Sequence, residues 1–292
     1  MIDLWFVIIA FLWTGYFVLE GFDFGVGLLA PLVSRNAAEQ RQSLQTIGPV
    51  WDGNEVWLIT AVGAMFAAFP AWYAGVFSSF YPHVTLILVG LILRGVGLEW
   101  RGKVRDPRWC DLAVMVGSGL PAFLWGAVFA DLLTGSAPAA LLGGAFTLAV
   151  CVLHGAVFLA LKTTGPVRAR ARATALIASA AAIPVAVFVL SGLGTFPALA
   201  AMAALAAAAA LIWRRREGWA FAATAGSIVL ATLAVFMELR VRPLPGLTLA
   251  EAASGAYTLT VLSWIGLIAL PFVLVYQGWT YYVFRKRVRA GV

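Results

Sequence analysis

Charge is scarce in this 292-residue chain: 11% of residues are Asp, Glu, Lys or Arg, against about a quarter in an ordinary soluble domain. That shortage excludes a soluble enzyme, a disordered protein and a nucleic-acid-binding domain, and it leaves too little polar sequence for a large extramembrane domain. Cysteine is limited to Cys110, in a basic loop, and Cys151, inside an apolar run; no disulfide framework is implied. Imidazole is as rare, with His83 and His154 the only two histidines. A haem or metal site built by this chain would want more His, Cys or carboxylate at ligand spacing, and no CxxCH string is present. No cofactor-binding or metal-binding residue is therefore assigned, and the two histidines are read as packing residues. The N-terminus also lacks a positively charged stretch ahead of its first apolar run, so that run is expected to stay in the mature protein.

Apolar residues fill the space that charge leaves, at 62% of the chain. A bilayer core about 30 Å thick needs about 20 helical residues to cross, so the hydrophobic content suffices for about nine crossings. Apolar runs fall at 4–30, 53–76, 80–100, 112–133, 139–161, 173–193, 196–213, 218–239 and 258–284. The expectation is an all-α polytopic membrane protein with about nine transmembrane helices. Within 173–213 the string Ser191 to Pro197 is rich in glycine and separates two alanine-rich runs, which reads as a tight hairpin.

Basic residues test the count independently. The loops 34–50, 101–111, 162–172 and 214–217 and the tail from Arg285 hold seventeen of the twenty Lys and Arg; the others are Arg94, Arg240 and Arg242. Nine spans put all five basic segments on one side, which by the positive-inside rule is the cytoplasm. The N-terminus is then outside and the C-terminus cytoplasmic. Three parts are expected: a first four-helix bundle over 1–135, a second, alanine-rich bundle over 136–250, and a peripheral ninth helix with a basic tail over 251–292.

Chemistry concentrates in the first hundred residues. Glu20 and Asp23 sit three apart on one face of span one, Asp52 and Glu55 repeat that spacing at the start of span two, and Arg94 and Glu99 lie near the end of span three. Charged groups at a helix centre cost about 2.5–3.5 kcal/mol each on insertion scales and persist when paired, solvated or protonated. One arginine cannot neutralise five carboxylates, so those shielded from water are expected to carry protons. Asp52, Glu55, Glu20, Asp23 and Glu99 are thus candidates for a cytoplasmic proton path, with Arg94 as charge partner. Asp52, Glu55 and Glu99 equally suit helix ends standing in headgroup water. Gly21, Gly25 and Gly27 form a small-residue series that lets another helix approach span one.

Four strings carry a resemblance. Glu20-Gly21-Phe22-Asp23-Phe24-Gly25-Val26-Gly27, Gly48-Pro49-Val50-Trp51-Asp52-Gly53-Asn54-Glu55-Val56-Trp57-Leu58, Arg94-Gly95-Val96-Gly97-Leu98-Glu99-Trp100-Arg101, and the closing Leu274 to Arg285 resemble subunit II of cytochrome bd-type quinol oxidases. The resemblance covers the first hundred residues and the last thirty; the alanine-rich middle matches in character alone. It implies two four-helix bundles and a peripheral helix, paired with a haem-bearing subunit I that carries two haems b, one haem d and the quinol site. It implies a subunit free of those haems in a complex that oxidises quinol, reduces dioxygen to water and takes protons from the cytoplasm. Asp52 matches a position associated with a proton route, and some members hold a structural quinone in subunit II. Membrane lipids and quinol are the other expected partners, with room for a small accessory subunit, in a bacterial cytoplasmic membrane. Connections after 134 and before 255 are short for the family, and Gly255-Ala256 stands where a proline usually precedes the last helix. From the residues alone, a stand-alone proton-coupled transporter is the alternative, although its acids would then be expected in both halves.

Overall fold

A backbone in hydrocarbon must satisfy its own polar groups, and a continuous helix does so locally. The computed structural model describes residues 1–289, which form α1 (Ile2–Val33), α2 (Ala37–Gln45), α3 (Trp51–Ala68), α4 (Pro70–Ser79), α5 (Tyr81–Trp100), α6 (Arg108–Thr134), α7 (Ala137–Lys162), α8 (Gly165–Ser191), α9 (Phe196–Trp213), α10 (Glu217–Val241), α11 (Leu249–Ala252) and α12 (Ala256–Val283). Among the described residues there is no strand beyond two isolated bridges. Eight of these helices are long and apolar enough to cross a membrane. The chain is an all-helical integral membrane protein. The expected stretch outside these eight, the second run at 53–76, is divided between α3 and α4. Pro70 has no N–H to continue the ladder and pushes Phe69 out of helical geometry (φ −136°, ψ 66°). The carbonyls freed at the break are captured from afar: Ser254 Oγ donates to Ala67 O at 2.7 Å and Ser254 N to Ala68 O at 2.9 Å.

Two apolar cores share α1. Phe22, Val26 and Leu29 of α1 pack into a core with α7, α8, α9 and α10, while Trp5, Ile9, Trp13 and Tyr16 pack with α3, α4, α5 and α6. Glycine sets how closely the helices cross. A Cβ on Gly25 would stand 2.0 Å from the Cys151 carbonyl and 2.8 Å from Gly155 Cα, so α1 and α7 meet backbone to backbone. Gly27 turns instead toward Ser118 of α6, whereas a Cβ on Gly21 would meet nothing nearer than 3.7 Å.

The last helix is held at its ends. Leu259 is its one buried residue among those described. Trp5 Nε1 donates to Leu259 O at 3.2 Å and Ser263 Oγ at 3.0 Å. Beyond α12, Val288 N donates to Lys162 O at 2.7 Å, Arg287 Nε to Leu161 O at 3.0 Å, and Gln42 Nε2 to Val288 O at 2.9 Å. The tail is thereby strapped across the corner between α7 and α8 and onto α2.

The short α2 is capped by Asn36, whose Oδ1 accepts from Glu39 N at 2.9 Å. Glu39 in turn accepts from Arg170 and, at 2.7 Å, from Arg35 N. These hydrogen bonds, that of Arg170 first, hold its carboxyl below the usual carboxylate range.

The α9–α10 turn is a Schellman motif. Arg216 N donates to Leu211 O at 2.9 Å and Arg215 N to Ile212 O at 3.0 Å, with Arg215 at φ 59° in the left-handed position that glycine usually occupies.

Two outcomes follow from this packing. Gly25→Ala lowers the stability of the detergent-solubilised protein by about 1–3 kcal/mol, while Gly226→Ala, a helical glycine with open space around it, leaves the melting temperature unchanged or raises it; equal melting of the two variants would contradict the crossing. Because the Glu39 carboxyl is held low, its stabilisation is complete above the ordinary carboxylate range and is lost as acid protonates it. Glu39→Gln therefore melts earlier than the unsubstituted protein at pH 7, and the gap closes as the pH is lowered through that range.

Candidate functional site

Three helices, α1, α3 and α5, bring Glu20, Asp23, Glu55 and Arg94 to one place. The i, i+3 spacing puts Glu20 and Asp23 on the same side of α1. Arg94, one turn and a half before the end of α5, meets them from the other side. Its Nη1 donates to Glu20 Oε2 at 2.5 Å and Nη2 to Glu20 Oε1 at 2.9 Å, a two-pronged pair with both side chains fully buried. Glu55, on the first turns of α3, stands 3.7 Å from Arg94 Nη2 and is 19% exposed. Aromatic faces complete the cage: the guanidinium carbon lies 4.9 Å from the Phe24 ring centre and 5.8 Å from that of Trp51. A guanidinium suits this position because its planar fork matches a carboxylate and its faces stack on rings.

Asp23 is engaged differently. Asn54 Nδ2 donates to its Oδ2 at 2.7 Å, leaving Oδ1 buried with no partner among the described residues. Asn54 Oδ1 accepts from Gln277 Nε2 at 2.9 Å and from Tyr281 Oη at 2.8 Å. The amide of Asn54 thus joins α1 to α12 through α3. Asp52 is exposed at the start of α3, one turn from Glu55. Carboxyls at Asp52, Glu55 and Glu20 therefore run from solvent inward to Arg94. Glu99 stands apart: its side chain is 61% exposed and 3.8 Å from Lys103.

Asn54, Gln277 and Tyr281 lie inside the motif strings, but their linkage was not foreseen from the sequence. Neutral polar residues give no charge signal, and Asn54 and Gln277 are 223 positions apart. The sign the sequence does carry is that Gln277 and Tyr281 stand one turn apart, on one face of the closing apolar run.

The two histidines lie elsewhere. His154 is buried, with Nδ1 2.7 Å from Thr224 Oγ1, Nε2 3.2 Å from Val18 O, and its ring stacked on Phe221 at 4.6 Å. His83 packs edge-on to Phe80 at 5.9 Å. Among the described residues no group of three or more His, Cys, Asp or Glu is arranged to hold a metal ion.

An apolar cavity of about 300 Å³ lies among α6, α7, α8 and α10. Three of its lining hydroxyls are already committed to backbone: Thr134 donates to Ala130 O, Thr147 to Gly143 O and Ser227 to Ala201 O. Its walls fit a hydrocarbon tail far better than a polar headgroup.

Residues 1–284 match the family described as Cytochrome bd terminal oxidase subunit II. The chain belongs to that family. As a bd-type subunit II it is 38% identical to the cytochrome bd ubiquinol oxidase subunit 2 of Bacillus subtilis strain 168, over 98% of this chain and 96% of the relative. Identity to the cytochrome bd-I ubiquinol oxidase subunit 2 of Escherichia coli K12 is 29%, over 98% and 94%. These alignments extend over 325 and 357 residues against a chain of 292, so both relatives carry residues that this subunit II lacks. Its fold is similar to that in the bd oxidase structure from Geobacillus thermodenitrificans, with a TM-score of 0.81 and 15% identity, covering 97% of this chain and 96% of that one.

Removing one side of the Arg94–Glu20 pair strands the other in the interior. Arg94→Gln is expected to lower stability by about 3–5 kcal/mol. The double variant Arg94→Met with Glu20→Leu recovers most of that loss. Thermal melts of the three proteins in one detergent check this; a double variant no better than the single would show that the pair is not the source of the loss.

Proposed function

We propose that this chain is the haem-free subunit II of a bd-type terminal oxidase, which scaffolds the haem-bearing subunit I and supplies a proton-uptake route from the cytoplasm. The observation that carries the proton role is the series of carboxyls, from exposed Asp52 through half-buried Glu55 to buried Glu20, ranged around the single guanidinium of Arg94. Asp52 exchanges protons with water. Glu55 passes them inward within reach of the same guanidinium, which tolerates either charge state of its neighbour because Glu20 already pairs with it. Asp23, with one oxygen tied to Asn54 and the other unpartnered, is a further carboxyl able to hold a proton. Glu99, paired with Lys103 at the surface, stands outside the route as a helix-end residue.

The chemistry of quinol oxidation and dioxygen reduction belongs to the two haems b and the haem d of subunit I. In this reading α3 is the second of nine crossings despite Asp52, Asn54 and Glu55 in its first turns, the basic loops face the cytoplasm, and the membrane is the bacterial cytoplasmic one. Spans within 1–135 and 136–250 make the two bundles, with α12 and the tail peripheral. A structural quinone, where one is held, would lodge its isoprenoid tail in the apolar cavity. Quinol and membrane lipids are the small-molecule partners, and a small accessory subunit has room on the exposed helix flanks. Family membership weighs against the transporter alternative.

Asp52→Asn in the whole complex lowers oxygen consumption with quinol by about 10²-fold, the low end of what a positioned proton-transfer group contributes, while the reduced-minus-oxidised haem spectrum is unchanged. Normal turnover would remove Asp52 from the route, and loss of haem together with activity would make it structural.

A further inference from the structure

The turn between α9 and α10 presents three consecutive arginines, Arg214, Arg215 and Arg216, all exposed. Among the described residues none of the three makes an ion pair. The nearest acid in sequence, Glu217, is taken: Arg168 Nη2 lies 3.1 Å from its Oε1, and Arg172 donates to the same oxygen. Arg168 and Arg172 thus occupy the carboxylate next to the turn. The backbone amides of the turn are also committed, Arg214 N to Ala210 O at 3.0 Å and the next two to the Schellman carbonyls. Any anion bound here is held by guanidinium side chains.

Two further observations say what kind of anion. Trp213 and Trp219 flank the turn and are 77% and 69% exposed. Indole rings at a helix end favour the headgroup level of a bilayer, where the ring meets acyl chain and the N–H meets water; a dissolved phosphate would leave both rings bare. The second is Arg215 itself. Its left-handed backbone is a conformation that side chains with a Cβ adopt at a cost and glycine adopts freely. For folding alone, glycine is the better residue. The strain is tolerated at a position that adds a third guanidinium to the face.

We propose that Arg214, Arg215 and Arg216, framed by Trp213 and Trp219, form a binding site for the phosphate headgroups of anionic phospholipid. Guanidinium forks grip the phosphate oxygens while the indoles border the glycerol and upper acyl region. The site is independent of the carboxyl route, on which it makes no demand.

The test separates fold from charge. The protein is purified in mild detergent from its native membrane with whatever subunit accompanies it. Dioleoyl phosphatidylglycerol, tetraoleoyl cardiolipin or dioleoyl phosphatidylcholine is added, and the lipid concentration giving half the maximal rise in melting temperature is measured. Native mass spectrometry counts retained lipids on the same samples. The two anionic lipids are expected to raise the melting temperature and the zwitterionic one not to. Arg215→Gly raises the lipid-free melting temperature by relieving the turn, yet needs about fivefold more anionic lipid, the share of one arginine near an anionic surface; R214Q/R215G/R216Q needs about a hundredfold more. An unchanged lipid requirement in Arg215→Gly overturns the proposal, as does an equal response to phosphatidylcholine. Sodium phosphate reproducing the effect would make it a free-phosphate site instead. Loss of a copurifying acidic protein from the triple variant with lipid retention unaltered would assign the arginines to that protein.

Discussion

A guanidinium and a carboxylate buried together in a membrane protein stabilise each other only if neither is left alone. Arg94 and Glu20, both without solvent exposure and joined by two hydrogen bonds, impose that condition on α1, α3 and α5. Desolvating the two ions costs several kcal/mol each, and their attraction offsets that cost when the geometry is held. Holding it requires α5 to approach closely through Gly90 and Gly97, which face the backbone of α6, and requires Phe24 and Trp51 to close over the guanidinium. The surrounding packing is thus answerable to one ion pair. Glu55 then joins as a third member without having to neutralise anything.

Much of this was readable in the chain. Membrane character followed from the scarcity of charge, and the turn between Ser191 and Phe196 lies where glycine interrupts two alanine runs. The acids of the first three spans were visible because charge in an apolar run is conspicuous. Their connections were less so. Spacing along a helix states which residues share a face, but the meeting of Arg94 with Glu20, 74 positions away, is a tertiary fact. Glu99 shows that closeness in sequence is not closeness in space: five positions after Arg94, it lies off that residue's face of the helix and turns outward to Lys103. The break at Phe69 was also missed, since Pro70 lies inside an apolar run that hydropathy alone reads as continuous. Its rescue by Ser254 depends on a loop nearly two hundred residues later.

The two halves of the molecule use different means for similar ends. Around the acid cluster, large aromatic side chains such as Trp13, Tyr16 and Trp125 fill the space between helices. In the second half, alanines 171, 175, 178, 182 and 186 of α8 pack against those of α9 and α10 with few bulky residues. Small side chains lose little conformational freedom on burial, so this half gains order from close helix approach. His154 in that half is held by Thr224 of α10 and by the Val18 carbonyl of α1. The half with aromatics carries the buried acids and Arg94, and the half with alanines leaves room for the apolar cavity.

The manner in which α12 is attached has a consequence for biogenesis. Each of its anchors, Trp5, Ala67, Ala68, Asn54, Gln42, Leu161 and Lys162, belongs to chain made long before it. Synthesis runs from the N-terminus, so α1 to α11 have left the exit tunnel before Gln277 and Tyr281 of α12 can reach Asn54. Until that moment Asn54 Oδ1 lacks both of its donors, and the Asp23 contact is braced from one side. Completion of the polar cluster therefore waits on α12, and a chain truncated ahead of that helix would leave Asn54 without either donor.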